Sequence, residues 1–402
     1  MIGTWPTTLL GDVCEVIAGQ SPKSTYYNKD ENGLPFHQGK KEFTEKYIGP
    51  ATTWTEKVTR IAEKGDVLMS VRAPVGPVNF AIEQMCIGRG LAAIRPSGSI
   101  EPEFLYNYLV YFEQNIIGNV GAVFNSINKS QIASIEIPFP PLIDQKRIVA
   151  ILDEAFAAIA KAKEHAVRNL ANARELFESY LGRVFDQKGE GWEHRKLGDI
   201  AEFKNGLNFT KNSVGQTLPA VGVGDFQENY YVPMTELESV TIDGTLNPTY
   251  AIQKDDILTV RSNGSKHLIG RCMLVPKVNT TTSYSGFVIR MRFDTATVCP
   301  TFLLHFLKSP TTVDRLTRGG GGANINNINQ AKLSVLPVSF PPSYEEQERL
   351  ADVLGVISRN SERLDAIYQQ KIANLEELKQ SIMQKAFTGQ LTSKSTAMET
   401  VG

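Results

Sequence analysis

One stretch of this sequence occurs twice, and any fold must accommodate it twice. Phe124–Leu152 reads FNSINKSQIASIEIPFPPLIDQKRIVAIL, and Ile325–Leu354 reads INNINQAKLSVLPVSFPPSYEEQERLADVL. Asn125, Ile127, Asn128, Phe139, Pro140 and Pro141 match Asn326, Ile328, Asn329, Phe340, Pro341 and Pro342 at a single offset of 201 residues. The second copy then gains one residue, and Gln145, Arg147 and Leu152 match Gln347, Arg349 and Leu354 at an offset of 202. Each copy reads as a polar Asn-rich loop, a short strand, a Pro-Pro stop and a long helix. Paired prolines cannot continue a strand ladder, but their fixed φ suits the approach to a helix. The entrances repeat as well: Trp5, Leu10-Gly11-Asp12 and Gly19 are matched by Trp192, Leu197-Gly198-Asp199 and Gly206 at an offset of 187. The chain is two copies of a domain-plus-helix unit.

Between entrance and exit the copies diverge, but a middle segment keeps its design. KGDVLMSVRAPVG (Lys64–Gly76) and KDDILTVRSNGSK (Lys254–Lys266) each run from an acidic turn into a short apolar strand. An arginine follows near each strand end (Arg72, Arg261), before a Gly/Pro/Asn loop. Short apolar runs separated by turn residues predict β-rich domains, each with a helix before the Asn-rich loop, near Glu103–Gln114 and Thr301–Lys308.

After Pro141 the apolar period changes to 3.5. The first seam runs through Ile148, Leu152, Ala155, Ile159, Ala162, Ala166, Asn169, Ala173, Leu176 and Tyr180. Adding 202 gives Leu350, Leu354, Ile357, Ser361, Leu364, Tyr368, Lys371, Leu375, Leu378 and Ile382. Alternating steps of four and three predict a coiled coil. Helix one ends a few residues before the second domain begins, and helix two starts just after it ends. The helices must then run antiparallel for their seams to meet, with Ile148 facing Ile382 and Asn169 facing Ser361. The expected class is α+β: two β-rich globular domains (1–141 and 191–342), helical spacers (142–190 and 343–391) and a disordered tail (392–402). The predicted picture is a dumbbell with a pseudo-twofold axis.

Composition narrows the function. Net charge is −1, but residues 1–140 carry 12 Lys+Arg against 14 Asp+Glu, net −2, while residues 192–342 carry 15 against 12, net +3. A nucleic-acid ligand would be held by local patches or in company with a more basic partner. Cys14, Cys86, Cys272 and Cys299 have no Cys-x-x-Cys spacing and read as buried thiols of a reducing cytosol. No apolar run reaches membrane-spanning length and the N-terminus does not read as a signal peptide, so a cytoplasmic location is expected. Arg318–Asn324 is glycine-rich but lacks the Gly-Lys-Ser/Thr of a phosphate loop. His37, His165, His194, His267 and His305 lack ligand spacing. Asn247-Pro248-Thr249-Tyr250 lacks the second proline of the Asn/Asp-Pro-Pro-Tyr motif of amino-methyltransferases and reads as a turn. No catalytic, cofactor or metal constellation emerges, which favours a binding protein.

Two similar but non-identical domains on a spacer suit a ligand that offers two different sites at a fixed spacing, as duplex DNA does. In the first domain Gln38 offers an amide for adenine and Lys40 and Lys41 offer ammoniums for phosphate, followed by Ser70, Arg72 and Arg89. In the second, Arg261 suits guanine and Asn263 adenine, with Ser265 and Lys266 beside them. Lys40 and Lys41 also fit a solvated surface pair, and Arg72 and Arg261 also fit strand-end salt bridges.

These features together resemble the specificity subunits of Type I restriction–modification systems. The resemblance rests on Pro140–Ile148 (PPLIDQKRI), Pro341-Pro342 with Glu345–Leu350 (EEQERL), Asn172–Leu181 (NARELFESYL), Leu375–Leu391 (LEELKQSIMQKAFTGQL), the Leu-Gly-Asp entrances and the Gly-Asp-Val-Leu/Asp-Asp-Ile-Leu segments. It covers essentially the whole chain; Asp144, where glutamate is usual, and the one-residue insertion are the departures. The resemblance implies that each domain reads one half of a split, asymmetric double-stranded DNA target. It implies helices that set the gap and dock two modification subunits, which bring S-adenosylmethionine and methylate adenine. Restriction subunits then join to translocate and cleave DNA with ATP and Mg. This chain would itself hold no cofactor and catalyse nothing. Two other readings are a coiled-coil adaptor presenting two protein- or glycan-binding domains, and an enzyme with an unrecognised site in one domain.

Overall fold

The computed structural model describes residues 5–119, 126–186, 189–227, 229–317 and 327–391. The glycine-rich segment 318–324, Asn125 and Asn326 of the repeat, and the tail from 392 lie outside them. The chain divides into two compact units, Met1–Val167 with Gln370–Gly402, and Arg168–Gln369. The division falls inside both long helices, Leu142–Asp186 and Tyr344–Phe387. Each unit therefore contains a globular part, the start of one long helix and the end of the other.

Unit one is built on a four-stranded antiparallel sheet in the order Cys14–Ala18, Leu91–Pro96, Val67–Ser70, Val78–Phe80. Unit two repeats it with Ala201–Asn205, Val288–Phe293, Ile257–Val260 and Cys272–Leu274. The inner strands VLMS and ILTV are buried along their whole length, as a strand covered on both faces requires. The acidic turns before them prove structural. Asp66 and Asp256 are buried, accept a backbone N–H from Glu63 and Gln253, and receive a two-pronged guanidinium from Arg95 and Arg292 on the adjacent strand at 2.7–3.0 Å. An antiparallel pair ties each entrance to its exit: Thr7–Leu9 with Glu136–Pro138, and Glu193–Lys196 with Pro337–Phe340. The units differ in their second sheets. Unit one has five short strands, with Leu34–His37 parallel to Met85–Ile87; unit two has three, with Thr217–Val221 parallel to Ser283–Tyr284.

The repeated glutamine is a buried joint. The Gln145 Oε1 accepts the Glu101 N–H at 2.8 Å, and its Nε2 donates to the carbonyls of Pro140 (2.9 Å) and Ser99 (3.2 Å). Gln347 repeats all three bonds with the Cys299 N–H (2.8 Å) and the carbonyls of Pro341 (2.8 Å) and Thr297 (3.2 Å). Both glutamines are fully buried. Each holds the first turn of its long helix to the Pro-Pro stop and to the lead-in of an earlier helix, Pro102–Asn119 in unit one and Pro300–Lys308 in unit two. Asn128 and Asn329 cap short helices by accepting the Gln131 and Lys332 N–H groups.

Within unit one the long helices run antiparallel: Lys163 pairs with Glu376, and Lys379 lies 5.0 Å over the Phe156 ring. Ile148 and Ile382 share one core there, as expected. In unit two Arg174 pairs with Asp365, while Leu181 and Phe185 share a core with Ala351 and Leu354. The predicted heptad seam holds at Ile148, Leu152, Ile159 and Leu354, which are buried, and at Leu350, which is half-buried. It fails at Leu176, Leu378 and Leu364, which are 66%, 47% and 39% exposed. A straight α-helix drifts ~20° per heptad from a 3.5-residue repeat, so four heptads turn Leu176 roughly 80° out of the seam opened by Ile148. Coverage drifts off the heptad: helix one is covered at Ala166 and Ala173 of the predicted seam and then at Phe177 and Leu181 beside it, and helix two at Ser361, Tyr368 and Leu375 of the seam and also at Asp365 and Ile372. Asn169 is exposed, and Ser361 donates to the Ala173 carbonyl at 2.9 Å rather than meeting it. Leu354→Ala should cost about 2–5 kcal/mol, and Leu176→Ala less than about 0.5 kcal/mol. Equal losses in denaturant melts would contradict the 3.6-residue seam.

His305 supplies a pH response. It is buried, its Nδ1 has no hydrogen-bond partner among the described residues, and burial, reinforced by Lys308, pushes its pKa down to about 4 from 6.5. The unfolded chain binds this proton first, so stability is full above pH ~6.5 and falls as pH drops toward 4, by roughly 3 kcal/mol in total. His305→Gln should flatten the melting temperature between pH 7 and 4.5. An unchanged slope would locate the response elsewhere.

Candidate nucleic-acid interface

Hydrogen bonds between distant segments lace the loops at one rim of each sheet. In unit one Gly19 N–H donates to the Leu91 carbonyl (2.9 Å), Gln20 to Ile87 (3.0 Å), Gly88 to His37 (2.8 Å), Val71 to Gly90 (3.0 Å) and Ile127 to Val71 (3.0 Å). Unit two repeats the lacing with Gly206 to Val288 (3.0 Å), Leu207 to Tyr284 (2.9 Å), Ser285 to Val221 (2.9 Å), Arg261 to Phe287 (2.9 Å) and Ile328 to Arg261 (2.7 Å). The repeated entrance glycines make this approach possible. A Cβ on Gly19 would lie 2.2 Å from the Gly88 carbonyl oxygen, and one on Gly206 2.2 Å from that of Ser285.

The lacing gathers some candidates and dismisses others. Gln38, Arg72 and Arg89 are exposed on the rim of unit one. Lys40 and Lys41 are exposed on a short turn just beyond it, where Lys40 lines a cleft with Glu113 that partly offsets its charge. Ser70 is no contact residue: it is buried, and its hydroxyl donates inside its own loop toward the Arg72 and Pro74 carbonyls. Arg72 and Arg261 are not counterparts. The lacing equates Val71 with Arg261, and the bridges Arg72–Ser126 and Ser262–Asn327 equate Arg72 with Ser262. One residue of offset in extended backbone sends the two side chains to opposite faces. Among the described residues Arg72 and Arg261 form no ion pair; the arginines that pair with the acidic turns are Arg95 and Arg292. Arg261 and Asn263 are half-buried and Ser265 is exposed; the Lys266 side chain lies outside the described ones.

Three rim residues escaped the sequence reading. Phe287, 59% exposed, accepts the Arg261 N–H on its carbonyl and stands where unit one has Gly90. Ser21 and Asn208 both sit two residues beyond an entrance glycine. That repeated glycine was the available signal, since a glycine kept in both copies marks a close backbone approach. The four cysteines are buried, and burial pushes the Cys14 thiol up to about 12 and that of Cys272 to about 11, so neither is a nucleophile at neutral pH.

The sequence profile described as the Type I restriction modification DNA specificity domain matches residues 3–169 and 189–377, one match per copy of the repeat. The chain belongs to this family. The putative type I restriction enzyme MjaX specificity subunit of Methanocaldococcus jannaschii is 42% identical over 168 residues, 40% of this chain and 39% of that relative's length. The type I restriction enzyme StySPI specificity subunit of Salmonella potsdam is 26% identical over 322 residues, 76% of this chain and 69% of its own. A solved chain from work on complex assembly and conformational transition of the type I R-M system has the same fold: TM-score 0.77 over 96% of this chain and 98% of that one, at 19% identity. Membership of the Type I specificity family agrees with the duplicated α+β architecture. Among the described residues no helix is long and apolar enough to cross a membrane.

Proposed function

We propose that this chain is the DNA-recognition subunit of a Type I restriction–modification complex, each unit reading one half of a bipartite, asymmetric target. One observation carries the reading: the same laced rim holds different side chains in the two units, Gln38, Arg72 and Arg89 in one and Arg261, Asn208 and Phe287 in the other. A constant frame with divergent contacts suits two unlike half-sites. The amide and guanidinium groups are those that read adenine and guanine edges, and an exposed phenyl suits a thymine methyl. The subunit catalyses nothing itself; S-adenosylmethionine, ATP and Mg belong to two modification subunits and to restriction/translocase subunits in the cytoplasm. The near-neutral charge fits a DNA clamp shared with such partners. The helices set the gap and dock the modification subunits. In support, Val353, Val356, Leu364 and Ile367 are exposed on helix two in unit two, at steps of three, eight and three residues that keep them on one face. The family favours this reading over an adaptor presenting protein- or glycan-binding domains.

Modified-base sequencing of host DNA with and without the chain tests the proposal. A split motif methylated on adenine, lost with the chain, is expected; a methylated motif that survives its removal would refute the assignment. Arg261→Ala or Asn263→Ala should relax one half-site by about 1–3 kcal/mol per base pair read. Weakening that falls equally on all sequences would mean phosphate contact.

A further inference from the structure

Around Gln38 the rim of unit one is built rather than merely exposed. The Ser21 hydroxyl donates to the Gln38 Oε1 at 2.9 Å, and the Arg89 N–H donates to the same Ser21 Oγ at 3.2 Å. Gly90 N–H donates to the Gln38 carbonyl at 3.1 Å, fixing the backbone that carries the amide. Gly88 leaves the room: a Cβ there would lie 2.8 Å from the Gln38 Cα, 2.9 Å from its Oε1 and 3.1 Å from its Cδ. Hydrogen bonding thus runs in one direction, from the Arg89 amide to the Ser21 hydroxyl to the Gln38 carbonyl oxygen. In this arrangement the Gln38 NH2 has no partner among the described residues and faces outward as a donor, and the Oε1 keeps a second lone pair.

We infer that Ser21 and Gly88 are positioning residues that preset the Gln38 carboxamide to read one adenine of the half-site bound by unit one, donating from Nε2 to N7 and accepting from N6 on Oε1. The inference rests on the DNA-recognition reading above. Unit two has no such device, because the lacing that equates His37 with Val221 puts Gly222 at the place of Gln38. The half-site read by unit two is then specified by other groups. Ser21 is itself half-buried and contacts no base in this scheme; it removes the rotational freedom that Gln38 would otherwise lose on binding.

The test is methylated-motif sequencing with the assembled complex, plus competition with duplexes altered one base pair at a time. Gln38→Ala should lose roughly ten- to a hundredfold discrimination at one position of one half-site. Ser21→Ala and Gly88→Ala should relax the same position, by about three- to tenfold for Ser21→Ala, and Ser21→Thr, which keeps the hydroxyl, should restore it. Relaxation by Gln38→Ala without any effect of Ser21→Ala would overturn the positioning role while leaving the rim as the interface. Uniform weakening on all duplexes by Ser21→Ala, unrescued by Ser21→Thr, would mark a structural role and overturn it as well. No change with Gln38→Ala, alongside a shift with Arg261→Ala, would overturn the inference but not the function. Methylation independent of the chain would refute the function itself.

Discussion

Gln347→Ala should lower the stability of unit two by roughly 3–5 kcal/mol. The side chain is fully buried and satisfies three backbone groups at once, the Cys299 N–H and the carbonyls of Thr297 and Pro341. Alanine leaves all three buried without a partner, at about 1–3 kcal/mol each before relaxation or water entry reduces the sum. Gln347→Glu should be nearly as damaging, because a carboxylate can accept from Cys299 but cannot donate to either carbonyl. Asn360→Ala, on the exposed face of the same helix within unit two, is the control and should cost less than about 0.5 kcal/mol. Denaturant titration decides the matter, and a loss below 1 kcal/mol would mean that the joint is solvated. Gln145→Ala should do the same to unit one, since its three bonds are the same.

Four residues inserted in each long helix, after Arg168 and after Gln370, are expected to lengthen the unspecified gap of the target by about two base pairs. These points lie between the Lys163–Glu376 and Arg174–Asp365 ion pairs, so both bridges keep their local pairing. Four helical residues add ~6 Å at 1.5 Å each, and base pairs stack at ~3.4 Å. The half-site sequences should stay unchanged while the methylated motif changes its spacing. An unaltered gap would show that the helices are not the ruler. Insertion in one helix alone breaks the pairing on one side of the insert and should abolish methylation.

Much of the frame was legible in the sequence because it rests on local chemistry used twice. The Pro-Pro stop and the acidic turns each keep one role in both copies, while the repeated asparagines, read as a polar loop, prove to cap short helices, and the matched entrance glycines prove to allow a close backbone approach. The buried glutamines stood out as matched residues, but their partners at Glu101 and Cys299 lie more than forty residues away, and no spacing rule reaches them. The seam held at Ile148, Leu152, Ile159, Leu350 and Leu354 and failed at Leu176, Leu364 and Leu378 for a physical reason: a heptad assumes supercoiling, and a straight helix drifts out of it. The interface was half legible. Gln38, Arg89 and Arg261 fell on the rim because polar residues at strand ends often do, whereas Ser70 has the same chemistry and is consumed by its own loop. Ser21 and Asn208 had only the repeated entrance glycine two residues before them as a signal, and Phe287 could not be found without knowing which strands are neighbours.

The division inside the long helices has a consequence for synthesis. Unit two is one continuous segment, but unit one needs Met383, Ala386 and Phe387 in its core, where Phe387 packs at 5.2–5.4 Å against Phe104, Tyr108 and Tyr111. About two hundred residues emerge from the ribosome between the two parts of unit one. At ~5–20 residues per second, that leaves its aromatic face uncovered for roughly 10–40 s while unit two forms first. The N-terminal unit is therefore the last to be completed, and a stop codon shortly before Phe387 would damage the beginning of the protein more than its middle.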